Sequence, residues 1–166
     1  MGERLKGRVA IVTGGGRGIG RGLALLMAEE GGRVVVNDVG AAVDGFGVSA
    51  TPADEVVQEI VASGGEAVAN HNSVTTTRGA ESIIATALNS FGRLDIVMTP
   101  AGILRDRMIF NMTEEEWDAV IAVHLRGTFN MVSQASRVFK GQGSGCFVTF
   151  TSTTGLVGNS GQANYG

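Results

Sequence analysis

Residues 8–20 read Arg8-Val9-Ala10-Ile11-Val12-Thr13-Gly14-Gly15-Gly16-Arg17-Gly18-Ile19-Gly20. The first six have the composition of a short strand, and the glycine run that follows opens a helical pattern reaching about Glu30. Glycine has no Cβ, so such a turn lets backbone N–H groups come close to an anion. The helix that begins there points its unpaired N–H groups and the positive end of its dipole at the same place. Strand, glycine turn and helix in that order predict a βα unit that seats a diphosphate; the plainer alternative is a glycine-rich turn with no ligand. The spacing is Gly14-x-x-x-Gly18-x-Gly20. It is not G-x-G-x-x-G, because Ile19 stands at the last glycine position counted from Gly14. Nor is it a P-loop, because Arg21-Gly22 stands where Lys and Ser/Thr are required.

Outward from this unit, strand and helix patterns alternate. Arg33–Asn37, Glu66–Asn70, Leu94–Met98 and Gly145–Phe150 read as further strands, apolar and rich in Val and Ile. The first helix carries Ile19, Leu23, Leu26 and Met27 at helical spacing. A second is expected after Thr51 as cap, with Pro52 at the first helical position and Val56, Val57, Ile60 and Val61 as its stripe. Gly79–Ser90 follows with Ile83, Ile84, Ala87 and Leu88. Thr113 and Glu116 form a capping box that opens a long helix reaching about Phe139, with Trp117, Val120, Ile121 and Leu125 inward. The pattern predicts one α/β domain over residues 1–166, a doubly wound parallel sheet of Rossmann-like order 3-2-1-4-5, ending after the fifth strand. Ligands in such sheets bind beyond the carboxyl ends of the strands, in the loops after Thr13, Asn37, Asn70, Met98 and Phe150.

Composition narrows the function. The chain has 166 residues, 26 of them Gly without a period of three, so the glycines mark turns and close approaches rather than a collagen repeat. Net charge is −3 and no basic stretch follows a nucleic-acid backbone, which argues against DNA or RNA as partner. No apolar run approaches the ~20 residues of a membrane span, and Met1–Lys6 has no hydrophobic signal region, so a cytoplasmic location is expected. The single Cys146 cannot form an internal disulfide and is expected as a buried, inert thiol. No metal-ligand spacing is present.

Asp38 ends the second strand about twenty residues beyond the glycines, where a carboxylate can accept both adenosine ribose hydroxyls. Its alternative role is a loop-starting Asp. A carboxylate there repels a 2′-phosphate, whereas Arg17 beside the glycine loop could pair with one. Asp38 sits closer to the ribose edge, so NAD is expected over NADP.

Taken together, these residues resemble the short-chain dehydrogenase/reductase family over the whole length. The resemblance rests on Thr13-Gly14-x-x-x-Gly18-x-Gly20, Asp38, Ala101-Gly102 after the fourth strand, Ser152, and Tyr165 preceded by Gly161-Gln162-Ala163-Asn164. More narrowly, Gly102–Arg107, Val123–Gly127 and the long loop Val39–Thr51 resemble the (3R)-hydroxyacyl-CoA dehydrogenase part of multifunctional enzyme type 2 and its bacterial relatives. The resemblance implies hydride transfer between a nicotinamide and a secondary alcohol or ketone, such as a 3-hydroxyacyl-CoA or a hydroxysteroid, in a homo-oligomer. Tyr165 would be the acid/base and Ser152 would hold the substrate oxygen. The cofactor would lie along Gly14, Arg17, Gly18, Ile19, Gly20, Asp38, Asn72, Ser73, Val74, Ala101 and Gly102. Asn72 would accept from the adenine amino group, and Val74 would pack on the ring.

Three features depart from the family. Its lysine four places after the tyrosine, which favours the phenolate and grips the nicotinamide ribose, falls beyond Gly166 with the last two strands. The chain therefore reads as the amino-terminal two thirds of such an enzyme, and the alternative is a nucleotide-binding module or fragment without turnover. Thr99-Pro100 replaces paired asparagines, and Pro100 lacks an N–H, so bonds tying this loop to neighbouring strands are expected to be lost. Asn72-Ser73-Val74 stands where a carboxylate is usual. His124 stands where most of the family has an asparagine of a proton relay, a histidine that the multifunctional branch looks to share; it is read as a donor to a backbone carbonyl in a kinked helix, the alternative being a direct proton-transfer role.

Overall fold

The computed structural model describes residues 2–47 and 51–166. Five parallel strands, β1 (Val9–Thr13), β2 (Arg33–Asn37), β3 (Glu66–Asn70), β4 (Ile96–Met98) and β5 (Cys146–Val148), form one sheet in the order β3-β2-β1-β4-β5. The expected order is therefore observed. β1 pairs Val9 with Arg33 on one side and Ala10 with Ile96 on the other. Every residue of β1 is buried, because helices cover both sheet faces.

Strand alternation divides the core in two. Val12, Val34, Val36 and Met98 face α1 (Gly18–Glu29) and α2 (Thr51–Ala62), meeting Ala24, Ala28, Val56 and Ile60. Val9, Ile11, Val35 and Val97 face α3 (Thr77–Phe91) and the helix of residues 127–142, meeting Ile83, Ala87, Met131 and Ala135. α3 begins where the Thr76 hydroxyl accepts the Gly79 N–H, and ends at Gly92 in the left-handed conformation.

Several expectations are corrected. α1 buries Gly20, Ala24 and Ala28 rather than its large residues; Ile19 is 70 % exposed and Leu26 also faces outward. Small residues let this helix lie close on the sheet, while Leu23, Leu25 and Met27 are half-buried and pack at its sides against the same core. Thr51 is itself the first residue of α2, with Pro52 second, and residues 48–50 of the long preceding loop lie outside the described residues. Val61 is exposed. The expected single helix from Thr113 is three pieces: α4 (Glu114–Ile121), a π-helical turn (Ala122–Arg126) and α5 (Gly127–Gln142). Thr113 and Glu116 do close the capping box, but Trp117 and Leu125 point outward. Cys146 is exposed rather than buried, because β5 has a neighbour on one side only among the described residues.

The amino end of the sheet is held by an ion cluster. Asp95, 5 % exposed, accepts from the Val9 N–H at 3.0 Å, from Arg8 at 2.9 Å, and from both Arg93 Nε and a terminal guanidinium nitrogen at 2.8 and 2.7 Å. Burial pushes its carboxyl up. The Arg93 hydrogen bonds, the Val9 N–H and Arg8 together outweigh that and bring it down from 3.8 to about 2.

Candidate active site

At the opposite, carboxyl end of the sheet, the turn after β1 is built so that side chains cannot enter it. Gly14 and Gly18 have φ of +59° and +51°, the left-handed region that glycine adopts without steric cost. A Cβ on Gly14 would stand 2.7 Å from the Ala101 Cα, and one on Gly20 would stand 2.0 Å from the Gly14 carbonyl oxygen. Arg17, at the cap position of α1, makes no side-chain hydrogen bond to the first turn. The helix therefore presents uncapped N–H groups beside a backbone cradle, a donor set suited to a diphosphate.

Asp38 is fixed from two sides. Its Oδ2 accepts the Gly16 N–H at 2.9 Å and its Oδ1 accepts the Gly40 N–H at 2.6 Å. These bonds hold the half-buried carboxylate at the rim of the glycine turn. Arg17 turns toward the next loop, donating to the Ala41 carbonyl at 3.3 Å.

The exits of β3 and β4 complete this wall. Asn37 Nδ2 donates to the Asn70 and Asn72 carbonyls at 3.1 and 2.8 Å. The Asn72 amide donates to Ser82 Oγ at 3.0 Å, leaving its oxygen as the acceptor. Ser73 Oγ accepts the Thr75 N–H at 3.2 Å. Val74 is buried in the core against α3 and α5, so it offers only an edge. After β4 the Thr99 N–H donates to the Val148 carbonyl at 3.1 Å, and the Ala101 N–H to Thr13 Oγ1 at 3.4 Å. The loop thus stays tied to both neighbouring strands, against expectation, because the residues flanking Pro100 supply the donors. What Thr99 does leave is a buried hydroxyl without a hydrogen-bond partner.

Every residue that the sequence assigned to the cofactor lines one hollow of about 810 Å³. Ser152 and Tyr165 line a second, of about 900 Å³, with His124 and Asn164. Ile19, Val43, Pro100, Ala101, Gly102 and Ile103 line both.

Around the second hollow, Ser152 Oγ accepts the Thr154 N–H at 3.2 Å, which leaves its proton free to be donated. Tyr165 meets His124 edge-on, with ring centroids 5.0 Å apart and planes at 75°. His124 sits in the π-helical turn, its Nε2 2.9 Å from the Ile103 carbonyl oxygen and 3.1 Å from the Ile103 nitrogen. A Cβ on Gly102 would stand 2.4 Å from the His124 ring. Gly102 thus makes room for the imidazole, and the imidazole backs the tyrosine.

Asn164 has a structural part that sequence reasoning missed. Its amide donates to the Arg105 and Glu116 carbonyls, both at 3.1 Å, while its buried Oδ1 has no hydrogen-bond partner. The Arg107 N–H donates to the Gly161 carbonyl at 2.7 Å, and Gln162 Nε2 to Asp106 at 2.9 Å. These bonds fix the segment carrying Tyr165 against residues 105–107. Val39, Ala41, Val43, Gly45 and Arg105 also line the first hollow unforeseen; the signal of the first four was the length and glycine content of the loop after β2, whereas Arg105 comes from the segment after β4.

Comparison with known proteins agrees with this geometry. The family described as short chain dehydrogenase matches residues 8–166. Peroxisomal multifunctional enzyme type 2 of Mus musculus is 46% identical over 162 residues, covering 98% of this chain and 22% of that protein. Hydroxyacyl-CoA dehydrogenase ChsB1 of Mycobacterium tuberculosis is 44% identical over 169 residues, covering 97% of this chain and 52% of that one. The crystal structure of a short chain dehydrogenase from Mycobacterium avium superposes with a TM-score of 0.89 at 49% identity, over 97% of this chain and 60% of that one. The chain spans 56% of one curated relative and smaller shares of others, 22% and 27%. Among the described residues, no helix is long and apolar enough to cross a membrane.

Proposed function

The chain belongs to the short-chain dehydrogenase/reductase family, and from that premise we propose that it binds NAD in preference to NADP and interconverts a secondary alcohol and a ketone. Members of this family use one or other of these dinucleotides. The observation that carries the reading is the shared wall: a glycine-cradled hollow with a fixed carboxylate opens beside one that holds a serine and a tyrosine.

The bound nicotinamide would supply the hydride acceptor or donor. Residues of the chain would do the rest. The glycine turn and the first turn of α1 would hold the diphosphate through backbone N–H groups, with no side chain in the way. Asp38, already oriented by Gly16 and Gly40, would accept from the ribose hydroxyls and repel a 2′-phosphate. Ser152 would donate to the substrate oxygen, and the Tyr165 hydroxyl would exchange a proton with it as the carbon changes oxidation state. His124 would keep the tyrosine ring in place through its edge contact.

The second hollow, whose wall includes Ile121, Leu125, Phe129, Val132 and Phe150, supports the substrate class. An apolar wall leading to a polar pair suits a 3-hydroxyacyl-CoA thioester or a hydroxysteroid. One relative carries the name hydroxyacyl-CoA dehydrogenase, which supports the thioester. Leu125 and Phe129, both exposed, also support self-association.

Calorimetric titration with NAD and with NADP, followed by turnover assays on a 3-hydroxyacyl-CoA, tests this. Tighter binding of NAD is expected, with thioester-dependent NADH formation from a chain extended through the family's lysine and only background turnover from residues 1–166 alone. Binding without turnover in the extended chain would select a nucleotide-binding module instead, and absence of binding would overturn the reading.

A further inference from the structure

The loop after β2 does more than connect it to α2. Residues 42–46 close on themselves: the Ala42 N–H donates to the Phe46 carbonyl at 2.9 Å, the Gly45 N–H to the Ala42 carbonyl at 2.8 Å, and the Phe46 N–H to Asp44 Oδ1 at 3.0 Å. Gly40, Gly45 and Gly47 all have positive φ, which makes the turn tight and places glycine at both of its ends. The Phe46 ring it presents lies under the Arg105 guanidinium, whose Cζ is 3.9 Å from the ring centroid. Arg105 Nε also donates to the Asp44 carbonyl. The Leu104 N–H donates to the Val43 carbonyl at 2.9 Å.

The two sides of this contact are held unequally. Residues 103–107 are anchored to the rest of the fold through His124, Asn164, Gly161 and Gln162. Among the described residues, loop residues 39–47 have few such ties: beyond Asp38 at the root and Arg17 on Ala41, their bonds run within the loop or to Leu104 and Arg105. Val43 and Gly45 line the glycine-cradled hollow, and a Cβ on Gly45 would stand 3.0 Å from Ile103. The loop therefore bridges from the Asp38 side of the hollow to its Ile103 side.

We propose that Arg105 and Phe46 form a clasp that holds this loop across the dinucleotide hollow, which makes Arg105 a positioning residue for cofactor retention. The inference rests on the dinucleotide reading of that hollow. A cation over an aromatic face is an adaptable contact, strong enough to bias a loop and weak enough to open for exchange of cofactor.

The test compares Arg105→Ala, Phe46→Ala, the double variant and Phe46→Trp with the parent protein. Hydrogen exchange at the Leu104 amide is read without ligand, and NAD affinity by calorimetry. Arg105→Ala and Phe46→Ala should each speed Leu104 exchange and weaken NAD roughly two- to thirtyfold. The double variant should be no worse than either single one, and Phe46→Trp should keep parental affinity. Unchanged exchange in Arg105→Ala, faster exchange with unchanged NAD affinity, or additive losses in the double variant would overturn the clasp. Failure of the parent to bind NAD would sink the dinucleotide reading, while the exchange comparison would still decide whether the loop is clasped.

Discussion

Gly20 lies so close under Gly14 that any side chain at position 20 would press on the Gly14 carbonyl. The first turn of α1 thus rests directly on the cradle it serves. Gly20→Ala should force the turn open, lowering NAD affinity by about tenfold or more and reducing the melting temperature by several degrees. Gly18→Ala meets open space and should show only the cost of its left-handed backbone, about 1 kcal/mol. Calorimetry and thermal melts separate the two.

Asp38 should govern the choice of cofactor. Asp38→Ala removes the acceptor meant for the ribose and leaves the Gly16 and Gly40 N–H groups without their partner. Its NAD affinity should fall about tenfold or more, the scale of a charged hydrogen bond of roughly 2 kcal/mol. Affinity for NADP should fall far less, because repulsion is removed along with attraction. Parallel titrations of the two cofactors measure the difference.

Tyr165→Phe keeps the ring against His124 and deletes only the hydroxyl. In a chain extended through the family's lysine, turnover of a 3-hydroxyacyl-CoA should drop about a hundredfold or more, while NAD affinity stays within about twofold. A variant that lost binding as well would show that the tyrosine supports the site rather than the chemistry.

Asp95 sets an acid limit on the fold. Its carboxyl is held down at about 2, below its ordinary 3.8, so the stabilisation is complete above pH 4 and is lost as pH falls from 4 toward 2. Asp95→Asn should cost about 2 kcal/mol at pH 7. The gap between variant and parent should close as denaturation is measured at successively lower pH.

Much of this was legible in the sequence, for identifiable reasons. Val34, Val35 and Val36 had to be a central strand because nothing polar interrupts them. Every proposed cofactor residue reached the same hollow because strand ends in a parallel sheet converge on one edge. Ile19 and Leu26 of α1 were misread because hydrophobic spacing favours large residues, whereas helix and sheet pack closest through Gly20, Ala24 and Ala28, with Leu23 and Met27 beside them. Exposure of Cys146 could not be read from its apolar neighbours, since it depends on what lies beside β5. The ties of Thr99 and Ala101 were missed because the expectation considered Pro100 alone. Asn164 is a long-range partner of Arg105 and Glu116, and no local pattern announces such a bond.

The π-helical turn at Ala122–Arg126 has a consequence for the α5 core. By taking up one more residue than regular winding would, it sets the phase of everything that follows. Were the same residues wound as regular α-helix, Met131 and Ala135 would swing by about 100° away from β1 and β4. Amino-acid content would be unchanged, yet half of the interior would lose its second layer. Winding in this short stretch matters as much as chemistry.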